Sequence, residues 1–408
     1  MPGFHERNGR LLPSSRPAWD NLICSMPQVP RTLAFARCDF ARRSNLNAPL
    51  AALSDLRIFD EVIDVRTPLE FDADHIPGAS NAPVLTDDER ILVGTHYKQV
   101  SAFEATRMGA AMVARNIAYH LDTAFKDRPR TWRPLIYCWR GGKRSGAMTI
   151  WLNAIGWKAC QLDGGYKAYR KDVRERLTTL PTQFEYIVLT GNTGSGKTRL
   201  LHALERAGEQ ILDLEGLACH RGSVLGEIPG KDQPTQKAFD SQLVAAFRKL
   251  SPKMPVFVEA ESKRIGQLYL PGELSQALHQ SKCVCIETAL EERISFLCDD
   301  YRHLFDDPAY LKGQLDRLVD LLGRETIHTL HSLVEAGSMQ ELYRRLILQY
   351  YDPAYRRSSD RYFKKTPHSI EFVLHPNDPD LIDQASALAR RVRTESVDRL
   401  VPMSPWSG

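Results

Sequence analysis

Cys138 heads the run Trp139-Arg140-Gly141-Gly142-Lys143-Arg144-Ser145 and follows directly on the apolar Leu135-Ile136-Tyr137. A thiol in that setting can act as a nucleophile. Glycines let a tight loop turn its N–H groups inward, and a following helix adds the positive end of its dipole. Arg140, Lys143 and Arg144 add full charges. Together these lower a thiol's pKa and hold an anion beside the sulfur. Cys138 is the candidate nucleophile, Arg140 and Arg144 its catalytic companions, and Ser145 a candidate helix N-cap.

A second constellation handles phosphate. Residues 191–198 read Gly191-Asn192-Thr193-Gly194-Ser195-Gly196-Lys197-Thr198, which fits G-x-x-x-x-G-K-[ST] between an apolar strand and a helix. Such a loop turns backbone N–H groups onto phosphate oxygens, Lys197 neutralises their charge, and the Thr198 hydroxyl is placed for Mg²⁺. The motif does not specify hydrolysis, because any diphosphate ester presents the same oxygens. Glu259 and Glu261 stand just past another apolar strand, where they can orient a metal-bound water or act as a base, or else be solvated strand-end carboxylates. Asp213, His220, Arg221 and Ser223 form a dense polar stretch that reads as a substrate loop, with a structural histidine as the competing reading.

The elements that must position these groups follow a repeated β-α order. Strands are predicted at 62–65, 135–137, 158–162, 186–190, 210–214, 256–259 and 283–287, and helices at 105–121, 145–155, 197–207 and 236–250. That order predicts two α/β domains with mainly parallel sheets, separated near 178–183 where a helical pattern stops at Pro181. From 308 to 350 the pattern is helical and charged. The predicted organisation is an extension over 1–47, a first domain over 50–177, a phosphate-loop domain over 184–375 with its helical region at about 308–365, and a C-terminal segment over 376–408.

Composition narrows the class. The formal charge of the 408-residue chain is only +4, so any attraction for nucleic acid must be local. No apolar run reaches the length of a membrane span. Residues 1–47 lack the apolar stretch of a secretory signal and read as a disordered extension. The cysteines lack framework spacing and read as cytoplasmic thiols; Cys283 and Cys285 read as small core residues on one face of a strand.

The first half resembles the rhodanese family. Ile63-Asp64-Val65-Arg66-Thr67-Pro68, His75-Ile76-Pro77-Gly78-Ala79 and Leu162-Asp163-Gly164-Gly165 bracket the cysteine loop as in that family, where Asp64 and Arg66 would be architectural. One departure matters. Common sulfurtransferases carry C-x-x-G-x-R, whereas Arg144 makes this loop C-x5-R, one residue longer. The wider pocket suits selenium or a phosphate-bearing donor. It also occurs in rhodanese-like phosphatases, so a sulfurtransferase or C-x5-R phosphatase regulated by a nucleotide-binding domain stays open, as does a non-catalytic, nucleotide-gated RNA-binding module.

Residues 50–375 as a whole resemble the tRNA 2-selenouridine synthase family. The resemblance rests on Asp88-Glu89-Arg90 with Tyr97-Lys98-Gln99, the two loops above, Asp213-Leu214-Glu215-Gly216, His220-Arg221-Gly222-Ser223, Pro234-Thr235-Gln236-Lys237, Glu259-x-Glu261-Ser262, and Tyr351-Asp352-Pro353-x-Tyr355, in that order. It implies a rhodanese-like domain followed by a P-loop domain. It also implies an enzyme that geranylates the sulfur of wobble 2-thiouridine with geranyl diphosphate and then replaces that sulfur with selenium from selenophosphate. In that scheme the phosphate loop holds the prenyl donor's diphosphate, with Mg²⁺ at Thr198, and Cys138 serves selenium transfer. The partners would be a tRNA anticodon loop and a selenophosphate-producing enzyme handing over its product. Residues 341–365 carry seven Arg or Lys against three acids, interleaved with aromatics. Arg344, Arg345, Tyr351, Tyr355, Arg356 and Arg357 are thus the candidate tRNA contacts, set against a solvated helix face with a tyrosine-rich core side.

Overall fold

The fold is that of a computed structural model, which describes residues 48–397 apart from 224, 229 and 356–368. The region read as a disordered extension, residues 1–47, lies outside the described residues, as do Arg356 and Arg357. The chain divides into two compact units, one ending at Lys171 and the other beginning at Asp172, within a helix and ahead of the boundary read near Pro181.

The first unit is a five-stranded sheet in the order β1-β5-β4-β2-β3, with every pairing parallel. Its strands are β1 (Leu50–Ala51), β2 (Glu61–Asp64), β3 (Ser80–Asn81), β4 (Pro134–Tyr137) and β5 (Cys160–Leu162). Helices α1 (Pro68–Ala73), α2 (Asp87–Gln99), α3 (Ala102–Asp122), α4 (Lys143–Ile155) and α5 (Gly165–Thr179) connect and cover them. β4 and β5 are buried throughout, as strands covered on both faces must be. Thr67 starts α1 with a full capping box closed by Glu70, and Pro68 fills the first helical position. Asp64 and Arg66, the expected architectural pair, form a buried ion pair at 2.6 Å. Arg66 also donates to the Asp74 carbonyl at 2.7 Å and lies over the Tyr166 ring, tying β2 to the loop after α1.

The second unit holds another all-parallel five-stranded sheet, in the order β12-β11-β6-β8-β7. Here β6 is Tyr186–Thr190, β7 Gln210–Leu212, β8 Val256–Glu259, β11 Lys282–Glu287 and β12 Ile370–Val373; β9 (Arg264–Ile265) and β10 (Leu268–Tyr269) make a small separate hairpin. Its helices are α6 (Lys197–Arg206), α7 (Leu214–Ala218), α8 (Gln236–Phe247), α9 (Gly272–His279), α10 (Leu290–Asp300), α11 (Pro308–Asp316), α12 (Val319–Leu322), α13 (Arg324–Glu335), α14 (Met339–Leu346) and α15 (Leu381–Val397). β7 ends two residues earlier than the sequence predicts because Asp213 turns the chain into α7 by capping it. α15, which the sequence sets apart as a C-terminal segment, buries Leu381, Ala385, Leu388 and Val392 in the same core as Leu200, Leu204 and Val284. It is part of the phosphate-loop sheet's own packing. α10 to α14 build a second core around Leu311, Leu315, Leu330, Leu342 and Tyr343. α14 then passes into a π-helical turn, Ile347–Tyr351, a local widening that re-aims side chains.

Cys283 is buried and Cys285 half-buried on β11. Burial pushes the Cys283 thiol up to about 11, which makes it inert.

Candidate functional site

In the first unit β4 delivers Cys138 to the mouth of a turn, and α4 begins five residues later. Gly141 makes the turn possible. Its φ is +65°, and a Cβ there would stand 2.7 Å from the Leu162 carbonyl oxygen. The Cys138 sulfur is nearly buried and accepts from the Gly142 N–H at 3.3 Å and the Ser145 hydroxyl at 3.1 Å. Ser145 is therefore not the N-cap. Gly142 holds that position because the helix starts two residues earlier than predicted, and Ser145 in the first turn aims at sulfur instead. Gln161, fully buried on β5, donates to the Ser145 hydroxyl at 2.7 Å and to the Gly142 carbonyl at 3.0 Å. Sequence reasoning missed Gln161, although an amide inside the apolar run of a buried strand was a usable signal.

The basic side chains of the loop are not equivalent. Arg140 and Lys143 are exposed. Arg144 pairs with Glu70 through both terminal nitrogens, at 2.7 and 3.4 Å. Burial works to raise the Glu70 carboxyl, yet the Arg144 hydrogen bond and charge hold it below the usual carboxylate range. Arg144 is thus fixed in orientation beside the loop.

In the second unit the phosphate loop joins β6 to α6. Gly196 caps α6 at φ +79°, where a Cβ would fall 2.5 Å from Pro376. Lys197 Nζ donates to the carbonyls of Gly191 and Asn192 at 2.8 and 3.3 Å, and the Gly191 N–H donates to the Tyr355 hydroxyl at 2.7 Å. Lys197 and Gly191, two groups of the phosphate loop, are therefore engaged by the protein itself. The loop borders a cavity of about 700 Å³. Its lining combines glycines 191, 194 and 196 with Lys197 and Thr198, the aromatic and apolar Phe296, Leu297, Tyr301, Tyr350 and Tyr351, and charged groups such as Arg199, Arg221 and Asp300.

Three carboxylates converge beside Thr198. One oxygen from each of Glu215, Glu259 and Glu261 lies within 4.8 Å of the others. The Thr198 hydroxyl donates to Glu215 at 3.4 Å. Burial first and the neighbouring carboxylates second push all three up to about 8, against the pull of Lys197. Glu259 is 3% exposed, and its Oε1 has no hydrogen-bond partner. A buried, unpartnered oxygen in a cluster of three carboxylates and a hydroxyl fits a hard divalent cation such as Mg²⁺. Glu215 is the residue the sequence reading left out of its site. It sits on α7, far in sequence from Glu259, and only the sheet order brings the two together.

The remaining candidates divide. Arg221 and Ser223 line the cavity; Arg221 pairs with Asp300 and lies 4.6 Å over the Tyr301 ring. Asp213 and His220 do other work. Asp213 caps α7 through the Gly216 N–H at 2.7 Å and meets His202 at 3.0 Å. The buried His220 ring accepts the Gly222 N–H at 3.1 Å, and burial keeps its pKa low. Both belong to the loop's scaffold. The expected tRNA platform also changes. Tyr351 is buried in the helical core and Tyr355 is on the phosphate loop, because the π-helical turn and the residues after it run inward. Arg344 is engaged by Glu291 at 2.7 Å through both terminal nitrogens and Arg345 by Glu341 at 2.8 Å. Among the described residues no helix is long and apolar enough to cross a membrane.

Comparison with known proteins matches both halves. Residues 47–172 fit a family described as a rhodanese-like domain, and residues 184–371 one described as the tRNA 2-selenouridine synthase AAA domain. The chain is 35% identical over 298 residues to the tRNA 2-selenouridine synthase of Nitrosomonas europaea, an alignment covering 71% of this chain and 73% of that one. Against the enzyme of the same name from Aeromonas salmonicida it is 33% identical over 341 residues, covering 75% and 90%. Against that from Hydrogenovibrio crunogenus it is 31% identical over 338 residues, covering 76% and 91%.

Proposed function

The chain belongs to the tRNA 2-selenouridine synthase family, and on that premise we propose that it converts wobble 2-thiouridine in tRNA to 2-selenouridine through an S-geranylated intermediate. The observation that carries this reading is the mixed lining of one cavity, which joins the phosphate loop with Phe296, Leu297, Tyr301, Tyr350 and Tyr351. A diphosphate with a hydrocarbon tail needs both kinds of surface at once.

In this reading Lys197 turns from its own loop carbonyls to the diphosphate of geranyl diphosphate, and the loop N–H groups take the remaining oxygens. The allylic C–O bond breaks with its electrons going to diphosphate, the uridine sulfur forms the new C–S bond, and the N3 proton of the thiouridine passes to solvent. Lys197 and the loop N–H groups hold the charge that develops on the leaving oxygens. Glu215, Glu259, Glu261 and Thr198 would hold Mg²⁺, which supplies further positive charge for the diphosphate when bound. Selenium then comes from selenophosphate at the Cys138 loop, where exposed Arg140 and Lys143 offer charge to the incoming anion. Arg356 and Arg357, which follow Tyr355 directly in sequence, would serve the anticodon loop. A selenophosphate-producing enzyme would be the donor's source.

The test is direct. Purified protein is incubated with tRNA carrying 2-thiouridine and geranyl diphosphate, and the nucleosides are analysed by mass. A geranylated thiouridine is expected, and competition by inorganic diphosphate but not by geraniol. Unchanged tRNA at saturating donor would overturn the reading.

A further inference from the structure

On the reading just given, selenium must leave a phosphorus atom, and electron counting limits how Cys138 can help. Selenium in selenophosphate is already fully reduced. A thiolate taking it up as Cys–S–Se⁻ would need a two-electron oxidant, and the reaction supplies none. Attack on phosphorus needs no oxidant.

The cysteine loop is laid out for that attack. Five residues separate Cys138 from Arg144, so the loop is the longer form that has room for a phosphoryl group. Both terminal nitrogens of Arg144 are held by Glu70, which fixes its guanidinium plane beside the loop. The first-turn N–H groups of α4 have no acceptor within the helix, and so offer donors to phosphoryl oxygens. Ser145 is fully buried and gives its hydroxyl to Cys138 Sγ, and Gln161 fixes that hydroxyl from behind. That contact can serve sulfur twice, when it first attacks a group and when it later departs from it.

The geometry points to a phosphocysteine step: Cys138 cleaves the phosphorus–selenium bond of a phosphoroselenoate and carries the phosphoryl group. Sγ attacks phosphorus, the S–P bond forms, and the P–Se bond breaks with its electron pair going to selenium. Selenide leaves and attacks C2 of the uridine, where the C–Se bond forms and the C–S bond breaks with its electron pair departing on geranylthiolate, which is protonated by solvent. Water then attacks phosphorus, the S–P bond breaks with its pair returning to Sγ, and inorganic phosphate departs with the water oxygen. Selenide is stable enough as an anion to leave without a proton, so the step needs no general acid from the loop.

The experiment uses the full chain and selenophosphate without tRNA or geranyl diphosphate. Samples are quenched in acid during the first turnover, and the Cys138 peptide is weighed. Wild type is expected to carry a phosphoryl group on Cys138, and Cys138→Ser none. Ser145→Ala is expected to accumulate it, with hydrolysis slowed about 10–100-fold, and Ser145→Thr to restore turnover. Heavy oxygen from labelled water should appear in the released phosphate. A selenium adduct on Cys138, told apart by selenium's isotope envelope, overturns the inference, as does selenide release with no adduct in wild type or Ser145→Ala. A complete mixture with tRNA and geranyl diphosphate is run in parallel. Selenouridine without a phosphorylated Cys138 sinks this step alone. A phosphorylated Cys138 without selenouridine sinks the transferase reading and leaves the step standing.

Discussion

After Tyr137 and after Thr190 the chain does the same thing: a buried parallel strand ends, glycines turn the backbone, and a helix begins at Lys143 or Lys197 with a glycine as its cap. The backbone device and its partial positive charge are shared. The side chains around it are opposed. At the cysteine loop the added charges are basic, and the sulfur's partners, Gly142 and Ser145, come from the same short segment. At the phosphate loop three carboxylates arrive from α7 and from the end of β8. The first arrangement settles an anion on the protein. The second leaves three acids that repel one another until a proton or a cation joins them. A helix N-terminus thus says only that negative charge is welcome, and the neighbouring side chains decide whether that charge belongs to a nucleophile or to a ligand.

The sharpest way to break this contrast is Lys197→Ala. It is expected to slow geranylation about 10³-fold, while Cys138→Ser leaves that half-reaction within about threefold of wild type. Initial rates of geranylthiouridine formation would show it, and equal losses in both variants would erase the contrast. Next comes the framework of the first loop. Asp64→Asn strands Arg66, 1% exposed, and should cost about 3 kcal/mol. Four of the chain's six tryptophans, Trp132, Trp139, Trp151 and Trp157, are described in the first unit, so denaturant unfolding followed by tryptophan fluorescence is weighted toward that loss. Glu259→Gln removes one acid of the three and should weaken Mg²⁺ about tenfold, or about 1.4 kcal/mol. The readout is the Mg²⁺ concentration at half-maximal thermal shift, and an unchanged value would mean the cluster is not a cation site. The smallest effect is expected from Tyr355→Phe. It frees the Gly191 N–H from the hydroxyl that occupies it at 2.7 Å. Losing one competing hydrogen bond of about 1 kcal/mol should tighten inorganic diphosphate about fivefold by calorimetry, and weaker binding would give Tyr355 a direct role in holding the ligand.

Both loops were legible in the sequence because each needs its glycines and charges within eight or nine consecutive residues. The repeated β-α order likewise announced two parallel sheets. What escaped was whatever depends on convergence. Gln161 lies a strand away from Ser145. Glu215 meets Glu259 because β7 and β8 are neighbours in the sheet. Asp213 was read as a site residue and Glu215 was not, yet Glu215 joins the carboxylate cluster while Asp213 binds the Gly216 N–H and His202. The basic, aromatic stretch after 341 read as an RNA face because its composition suits one. Burial of Tyr343 and Tyr351 shows that much of that aromatic content fills a core. α15 was separated from its sheet for a related reason: its amphipathic pattern tells that it packs, not against what.

The central claim is that two loops serve two successive half-reactions. It is tested most directly by nucleoside mass analysis of 2-thiouridine tRNA incubated with geranyl diphosphate and selenophosphate, singly and together, with wild type, Cys138→Ser and Lys197→Ala. The account expects selenouridine only from wild type with both donors, accumulated geranylthiouridine with Cys138→Ser, and unmodified thiouridine with Lys197→Ala. Selenouridine from Cys138→Ser, or geranylation by Lys197→Ala at the wild-type rate, would contradict it.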